Sequence, residues 1–140
     1  MKIARTIAYW ALTGLFSLSM IASGGMYLAG GMDDAVTHLG YPPSFIVLMG
    51  ALKVLGGIAL LIPALPRAKE WVYAGFVFNL IGASWSHAYI GDGIGETVTP
   101  LILGLFLVAS YLLRPDSLWL GGSIWSSSAG STHGEPVPAK

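Results

Sequence analysis

One lysine, Lys53, lies in the middle of the apolar run 45–65, which contains no acidic residue. At bilayer depth an ionisable side chain costs on the order of 2.5 to 3.5 kcal/mol on insertion scales, so it usually faces the protein interior and marks a functional site. An ammonium group donates hydrogen bonds and accepts none, so it suits an anion or a carbonyl oxygen. Lys53 is therefore the first residue at which we expect chemistry.

Other polar residues are spaced so that they could join Lys53. A rise of 1.5 Å per residue places Lys53 roughly 13 Å and Asn79 roughly 16 Å below the outer ends of their helices, so the two side chains can meet. His87 shares the helix face of Asn79, closer to the outer end. The spacing predicts an outward-facing polar pocket for a ligand or a partner, formed by Lys53, Asn79, Ser86 and His87 and capped by Asp92 or Glu96.

Several kinds of site are excluded by composition. The chain has no cysteine, so it has no disulfide, no thiol relay and no thiolate-bound metal or iron–sulfur centre. His87 alone cannot supply both axial ligands of a bis-histidine haem. The net charge of zero lacks the basic footprint that nucleic acid binding requires. We therefore predict no metal site and no nucleic acid partner.

Two further polar residues have simpler explanations. Glu70 stands where a helix would begin, and an acid in the first turn is favoured by the helix dipole. His38 falls in a loop, where solvation accounts for a histidine. We expect neither residue to belong to the site.

Four apolar stretches must position the candidate residues. With 54% hydrophobic and 10% charged residues, the chain has the composition of a membrane protein rather than that of a soluble domain. The stretches are continuously apolar and long enough for a hydrocarbon core of roughly 30 Å, which predicts helices rather than membrane strands. Residues 1–116 are thus predicted to be all-α, an antiparallel transmembrane four-helix bundle with spans at 7–28, 44–63, 71–90 and 99–113.

The charged residues predict the orientation of this bundle. Basic residues precede the first span, lie between the second and third, and follow the fourth: Lys2, Arg5, Arg67, Lys69 and Arg114. Only acids occupy the other two loops: Asp33, Asp34, Asp92 and Glu96. By the positive-inside rule both termini are cytoplasmic. A cleaved signal peptide is the minor alternative for the first span, whose apolar stretch exceeds the roughly 7 to 15 residues of a signal.

Proline and glycine mark the ends of the predicted helices. Pro63 and Pro66 close the second helix, and Thr99 before Pro100 matches an N-cap followed by proline at the first helical position. After Pro115 the chain becomes rich in glycine, serine and proline, which predicts a disordered cytoplasmic tail over 117–140.

Glycines at helical spacing predict where the helices touch. In lipid, helices associate through close packing, so small residues on one face mark contacts. The second helix carries Gly50 and Gly57 on the face of Lys53, and the third carries Gly75 and Gly82 on the face of Asn79. The first helix has a similar stripe that ends at Gly24.

Several short motifs are distributed along residues 7–116. They are LGYP (39–42), KVLGG (53–57), EWVYAGF (70–76), GA (82–83), SH (86–87), GD (91–92) and SYLLRP (110–115), with Pro63 and Pro66 between them. As a set, these motifs resemble the DoxX-like family of small bacterial integral membrane proteins. The resemblance implies a four-helix protein of the bacterial cytoplasmic (inner) membrane. It also implies an association with a thiosulfate:quinone oxidoreductase and with membrane-associated oxidoreductase complexes.

Three functions remain open, of which one makes the chain part of an enzyme. We favour an accessory or assembly subunit of a membrane complex, redox complexes included, that contacts the bilayer and either another membrane subunit or a second copy of itself. The alternative is a membrane enzyme subunit that binds a quinone or a small anion in the outward-facing polar pocket around Lys53, with quinone as the cofactor considered. A small-molecule exporter is the least favoured hypothesis, because such exporters use a membrane-embedded carboxylate and no predicted span contains one.

Overall fold

A computed structural model describes residues 2–119, which form helices and no strands. This confirms the predicted all-α class. The elements follow one another as α1 (Lys2–Leu28), α2 (Asp33–His38), α3 (Pro43–Leu61), α4 (Pro66–Ile90) and α5 (Ile94–Leu113), with a 3₁₀ turn at Asp116–Leu118.

Of the helices within residues 2–119, three are long and apolar enough to cross a membrane, namely α1, α3 and α5. α4 has the length, at 25 residues, but is less apolar. Its first turns carry Arg67, Lys69 and Glu70, and its later turns include Asn79 and His87. Composition alone therefore supports three of the four predicted spans.

The four long helices pack side by side. α1 lies along α3 and α5, α4 lies along α5, and α3 and α4 touch less extensively. Phe16 of α1 meets Phe76 of α4 edge to face, with ring centroids 5.2 Å apart. The buried cluster consists of Phe16, Met20, Leu60, Tyr73, Phe76, Leu80 and Leu107, while large apolar side chains remain exposed along the outer faces of the helices.

The glycines of α3 let it approach α1 closely. A Cβ on Gly50 would lie 3.0 Å from the Gly24 carbonyl oxygen, and one on Gly57 would lie 2.9 Å from the Ser17 carbonyl oxygen. A real Cβ does not fit at such distances, so glycine is needed at this helix contact.

The glycines of α4 behave differently from the prediction. No described atom lies within 4 Å of the Cβ that Gly75 or Gly82 would carry. These two glycines therefore do not mark a contact between helices of the same chain, although their spacing resembles that of Gly50 and Gly57.

The prediction that Thr99 caps the start of the fourth helix is wrong. α5 begins at Ile94, so Pro100 lies inside the helix and the Thr99 hydroxyl donates to the Gly95 carbonyl at 2.7 Å. Thr99 is therefore an interior helical residue and not an N-cap. Pro100 is buried where α5 packs on its neighbours, and such packing lets a membrane helix accommodate proline.

Two other boundaries differ from those expected. α4 begins at Pro66, five residues before the predicted span at Trp71, so Pro66 opens α4 at its first turn. α2 adds a short helix to the first loop, where none was predicted, and its Val36 is buried.

The chain remains ordered slightly beyond the predicted bundle. After the 3₁₀ turn, Trp119 stacks edge to face on Tyr111 with centroids 4.9 Å apart, and its ring lies 5.2 Å from the Arg114 guanidinium. Residues 117–119 thus pack on the helices, in contrast to the prediction of disorder from 117 onward. The rest of the predicted tail lies outside the described residues.

Candidate functional site

Lys53 is held against α1 by two side chains. Its ammonium donates to the Ser23 hydroxyl at 3.2 Å and lies 4.1 Å from the centre of the Tyr27 ring. Ser23 and Tyr27 are four residues apart on α1, so they present one face to α3. A cation over an aromatic ring is stabilised by the electrons of the ring face, which reduces the cost of burying the charge.

Lys53 has no anionic partner in the described part of the chain. Each of the four ion pairs within residues 2–119 involves other residues. An ammonium has three N–H donors, and one of them serves Ser23. A ligand with a hydrogen-bond acceptor could therefore bind Lys53 without displacing an ion pair.

A cleft between α3 and α4 lies beside Lys53. Its volume is about 380 Å³, within the range of small-molecule sites. Both Lys53 and Asn79 line it, so the structure brings these two predicted residues to one cavity. The rest of the lining is mainly apolar and comes from Met49, Leu52, Leu55, Gly56, Ala59, Trp71, Val72, Gly75 and Phe76.

Asn79 is held only weakly in this cleft. Its amide nitrogen donates to the Met49 thioether sulfur at 3.3 Å. A thioether is a poor acceptor, so a ligand oxygen could replace it at little cost. Lys53 and Asn79 are thus the two residues with hydrogen-bond donors in an otherwise apolar lining.

Ser86, His87 and Asp92 lie in a separate region, at the end of the helices that the predicted orientation makes the outer one. The Ser86 hydroxyl donates to the Gly82 carbonyl at 2.9 Å and pairs with the Tyr41 hydroxyl at 2.7 Å. His87 Nδ1 lies 2.6 Å from one carboxylate oxygen of Asp92, and His38 Nε2 lies 3.0 Å from the other. None of these side chains lines the cleft of Lys53.

Glu96 lies apart from both groups of residues. It is exposed in the first turn of α5, with its carboxylate over Gly93. The predicted pocket is therefore divided: Lys53 and Asn79 share the cleft, Ser86, His87 and Asp92 lie at the outer end, and Glu96 caps neither. The functional role of all six residues stays a prediction.

Asp92 ties two loops of the outer end together. Hydrogen bonds from His38 and from His87 hold the pKa of Asp92 below its usual value, against the opposing effect of desolvation. The stabilisation from these hydrogen bonds to the Asp92 carboxylate is thus fully present when the pH is above the ordinary aspartate pKa. It is lost as the pH falls through the lowered pKa of Asp92. His38 is a partner that the sequence did not indicate.

Within residues 2–119 no three ligating side chains are grouped to hold a metal ion.

Replacing this carboxylate should loosen α2. In Asp92→Asn we expect backbone amides of α2 to exchange hydrogen several-fold faster, because His38 loses its charged partner and α2 makes only slight contact with the long helices. Hydrogen–deuterium exchange with mass spectrometry measures this. Asp34→Asn, which removes an exposed acid of α2 itself, is the control, and equal exchange in both variants would contradict a bridging role.

The inner end contains a buried ionic network that the sequence reading missed. Arg114 is fully buried, and its Nη1 donates to Glu70 Oε1 at 2.5 Å, while the Tyr111 hydroxyl donates to Glu70 Oε2 at 2.9 Å. Arg114 also donates to the carbonyls of Pro66 and Leu118. Opposite charges at span ends on the same side of the membrane were the available signal for this pair.

Further polar contacts continue from this network into the helix core. Lys69, also fully buried, donates to the Tyr9 hydroxyl at 3.2 Å. The Ser110 hydroxyl lies 2.6 Å from that of Thr13 and 3.0 Å from that of Tyr73. Because these groups are buried and mutually hydrogen-bonded, they join α1, α4 and α5. A second cavity of about 270 Å³ borders the network and is lined in part by Glu70, Tyr73 and Tyr111.

Three helices that are long and apolar enough to cross a membrane indicate a helical membrane protein. A model of the DoxX-like family matches residues 11–110. The chain belongs to the DoxX-like family, which confirms the resemblance found in its motifs. The comparisons with curated proteins and with solved structures returned no match.

Proposed function

We propose that all four long helices cross the bacterial inner membrane as one antiparallel bundle. The exposed side chains of α4 between Trp71 and Ile90 are apolar or aromatic, as lipid requires, even though its mean hydropathy is low. Contacts of Arg5 with Arg114 and of Lys69 with Tyr9 gather the basic residues at one end. The positive-inside rule then puts both termini in the cytoplasm.

Within this arrangement, the function that the geometry supports best is binding of a lipophilic small molecule that carries a carbonyl or anionic acceptor. The observation that carries this proposal is the apolar cleft of about 380 Å³ whose lining includes Lys53, a basic residue that makes no ion pair within residues 2–119. Leu52 and Leu55 line the cleft and are exposed on the outer surface of α3, so a ligand enters from the lipid on that side. A quinone combines the required apolar body with carbonyl oxygens.

Binding of a short-tailed benzoquinone to the purified protein tests this function. Lys53→Met should weaken binding roughly 10- to 100-fold, because a hydrogen bond to a charged group is worth about 1.5 to 3 kcal/mol. Quenching of tryptophan fluorescence reports binding, since Trp71 lines the cleft. Mass spectrometry of small molecules extracted from protein purified out of native membranes identifies the natural ligand.

A cleft-filling variant separates loss of ligand from loss of fold. Gly75→Leu places a side chain in the cleft without meeting a described atom within 4 Å of its Cβ, so the protein should fold and fail to bind. Gly82→Leu adds the same side chain two turns away, outside the cleft, and should bind normally. Unchanged quinone binding in both Lys53→Met and Gly75→Leu would refute the site.

A second candidate function is that of an accessory or assembly subunit of a membrane complex, redox complexes included. It is supported by membership of the DoxX-like family and by the lack of cysteine, since electrons would have to be carried by a partner. Gentle purification from native membranes should then recover a larger complex. A ligand-free monomer, recovered alone, would count against both functions.

A further inference from the structure

The outward face of α4 carries alternating large aromatic residues and glycines. Trp71, Phe78, Trp85 and Tyr89 are between 72% and 82% exposed, so they make little contact within the chain. Together with the two glycines between them they form the α4 seam: Trp71, Gly75, Phe78, Gly82, Trp85 and Tyr89.

The spacing of the α4 seam is that of a coiled coil. Successive members are four, three, four, three and four residues apart, which is the a/d pattern of a heptad repeat. The three large residues at the d positions, Trp71, Phe78 and Trp85, are each seven residues from the next. Glycine occupies two of the three a positions, so large side chains and spaces alternate along the seam.

This face differs from the other outward faces of the protein. On α1, α3 and α5 the exposed large side chains are mainly aliphatic, for example Leu15, Leu55 and Leu105. α4 has the aromatic and glycine face and also the lowest hydropathy of the four long helices. Lipid contact alone does not require glycines, whereas close helix packing in membranes uses them.

We propose that the α4 seam binds the α4 seam of a second copy of this chain, with the two helices parallel. In parallel coiled coils each d-position knob inserts between residues of the facing helix that include its a positions. Phe78 would enter the space beside Gly75 and Gly82 of the second copy, and the reverse contact follows by symmetry. The seam fits itself because it supplies both the knobs and the spaces.

The parallel arrangement rests on the proposed membrane orientation. Both copies place their basic ends in the cytoplasm, so a two-fold axis along the membrane normal is the symmetry that relates them. Placement of aromatic residues at membrane interfaces would explain Trp71, Trp85 and Tyr89. It does not account for Phe78 in the middle of α4, or for the glycines on either side of it.

The mass of the protein in a mild detergent tests self-association. The chain of 14.7 kDa should be a dimer, and Gly82→Leu should weaken association at least tenfold by filling the space that receives Phe78. The chain itself has room for the added Cβ, so Gly82→Leu should keep its fold and thermal stability. Gly14→Leu on α1, where the Cβ also meets no described atom within 4 Å, should remain dimeric.

Cross-linking in native membranes tests the parallel register. Because the chain has no cysteine, a single introduced thiol gives an unambiguous result. Facing a positions of a parallel pair lie close enough for a disulfide, so Gly82→Cys should form a disulfide-linked dimer under mild oxidation, and Gly14→Cys should not. A monomer in detergent with no cross-link at Gly82→Cys would overturn the proposal, as would equal cross-linking of both variants.

The result is separable from that for the cleft. Trp71 and Gly75 belong both to the α4 seam and to the lining of the cleft, whereas Gly82 belongs to the seam alone. Gly82→Leu should therefore lose the dimer while it keeps quinone binding. If the dimer is found and no quinone binds, the α4 seam stands and the ligand function fails. If quinone binds to a monomer, the opposite conclusion holds.

Discussion

Glu70→Leu should lower the free energy of unfolding by about 3 kcal/mol, because it leaves Arg114 charged, fully buried and without its carboxylate. The Glu70 side chain is 30% exposed, which places the expected loss at the lower end of the range for a broken buried pair. The Tyr111 hydroxyl loses its acceptor in the same variant. The inner end of α4 and α5 should therefore loosen first.

Denaturant or thermal unfolding in detergent measures this loss. The double variant Glu70→Leu with Arg114→Met should recover much of it, since apolar replacement of both members removes the unpaired charge. Asp116→Asn is the matched control, because it breaks an exposed pair with Arg5 at 3.4 Å and should cost less than about 1 kcal/mol. If Asp116→Asn and Glu70→Leu lowered the free energy of unfolding equally, the buried Glu70–Arg114 pair would contribute no more to stability than an exposed pair.

Gly24→Leu should be destabilising to a similar degree, by about 3 kcal/mol, because it forces α1 away from α3. A Cβ on Gly24 would lie 2.7 Å from the Gly50 carbonyl oxygen and 3.0 Å from the Lys53 Cβ. The first of these atoms belongs to the backbone and cannot turn aside. The same displacement would separate Lys53 from Ser23, so quinone binding should fall as well.

The neighbouring glycine provides the control for this prediction. Gly25 is exposed, and no described atom lies within 4 Å of its Cβ position. Gly25→Leu should therefore leave stability unchanged or raise it by up to about 1 kcal/mol, since glycine is a poor helix former. Unfolding curves of the two variants decide the matter. Equal stability of both would mean that α1 and α3 are not in close contact at Gly24.

The depth and face of Lys53 follow from local sequence patterns, but its neighbours do not. Helical spacing on α3 places Gly50, Lys53 and Gly57 on one face, and the structure has them on the side of α1. Tyr27, which covers the ammonium, depends on how α1 crosses α3 at Gly24. That crossing is set by packing in three dimensions, and residue spacing within one helix carries no information on it.

The separation of the outer cluster from the cleft has a similar cause. Spacing on α4 puts Asn79, Ser86 and His87 near one another along the helix, but it cannot say which neighbouring helix or loop each one meets. Ser86 and His87 bond to Tyr41 and Asp92, which belong to the two outer loops, whereas Asn79 bonds to α3. Loop conformations are decided by few and distant contacts, so they are the part least accessible to sequence reasoning.

The first residue of a helix is also hard to predict from sequence, as the start of α5 shows. Thr99 with Pro100 has the signature of an N-cap, and the same pair is also tolerated inside a membrane helix whose neighbours pack around the proline. The choice between the two depends on residues 94–98, which include Gly95 and the polar Glu96 and Thr97 and have no strong apolar pattern. The structure continues the helix through them from Ile94.

The inner ionic network also imposes an order of assembly during synthesis. Glu70 is made 44 residues before the arginine that neutralises it, and Arg5 waits 109 residues for the Arg114 carbonyl that it binds. Until α5 has been made, Glu70 and Arg5 lack these partners, at the end that the proposed orientation places in the cytoplasm. The contacts at this end therefore form last, and a chain truncated before Arg114 would lack them.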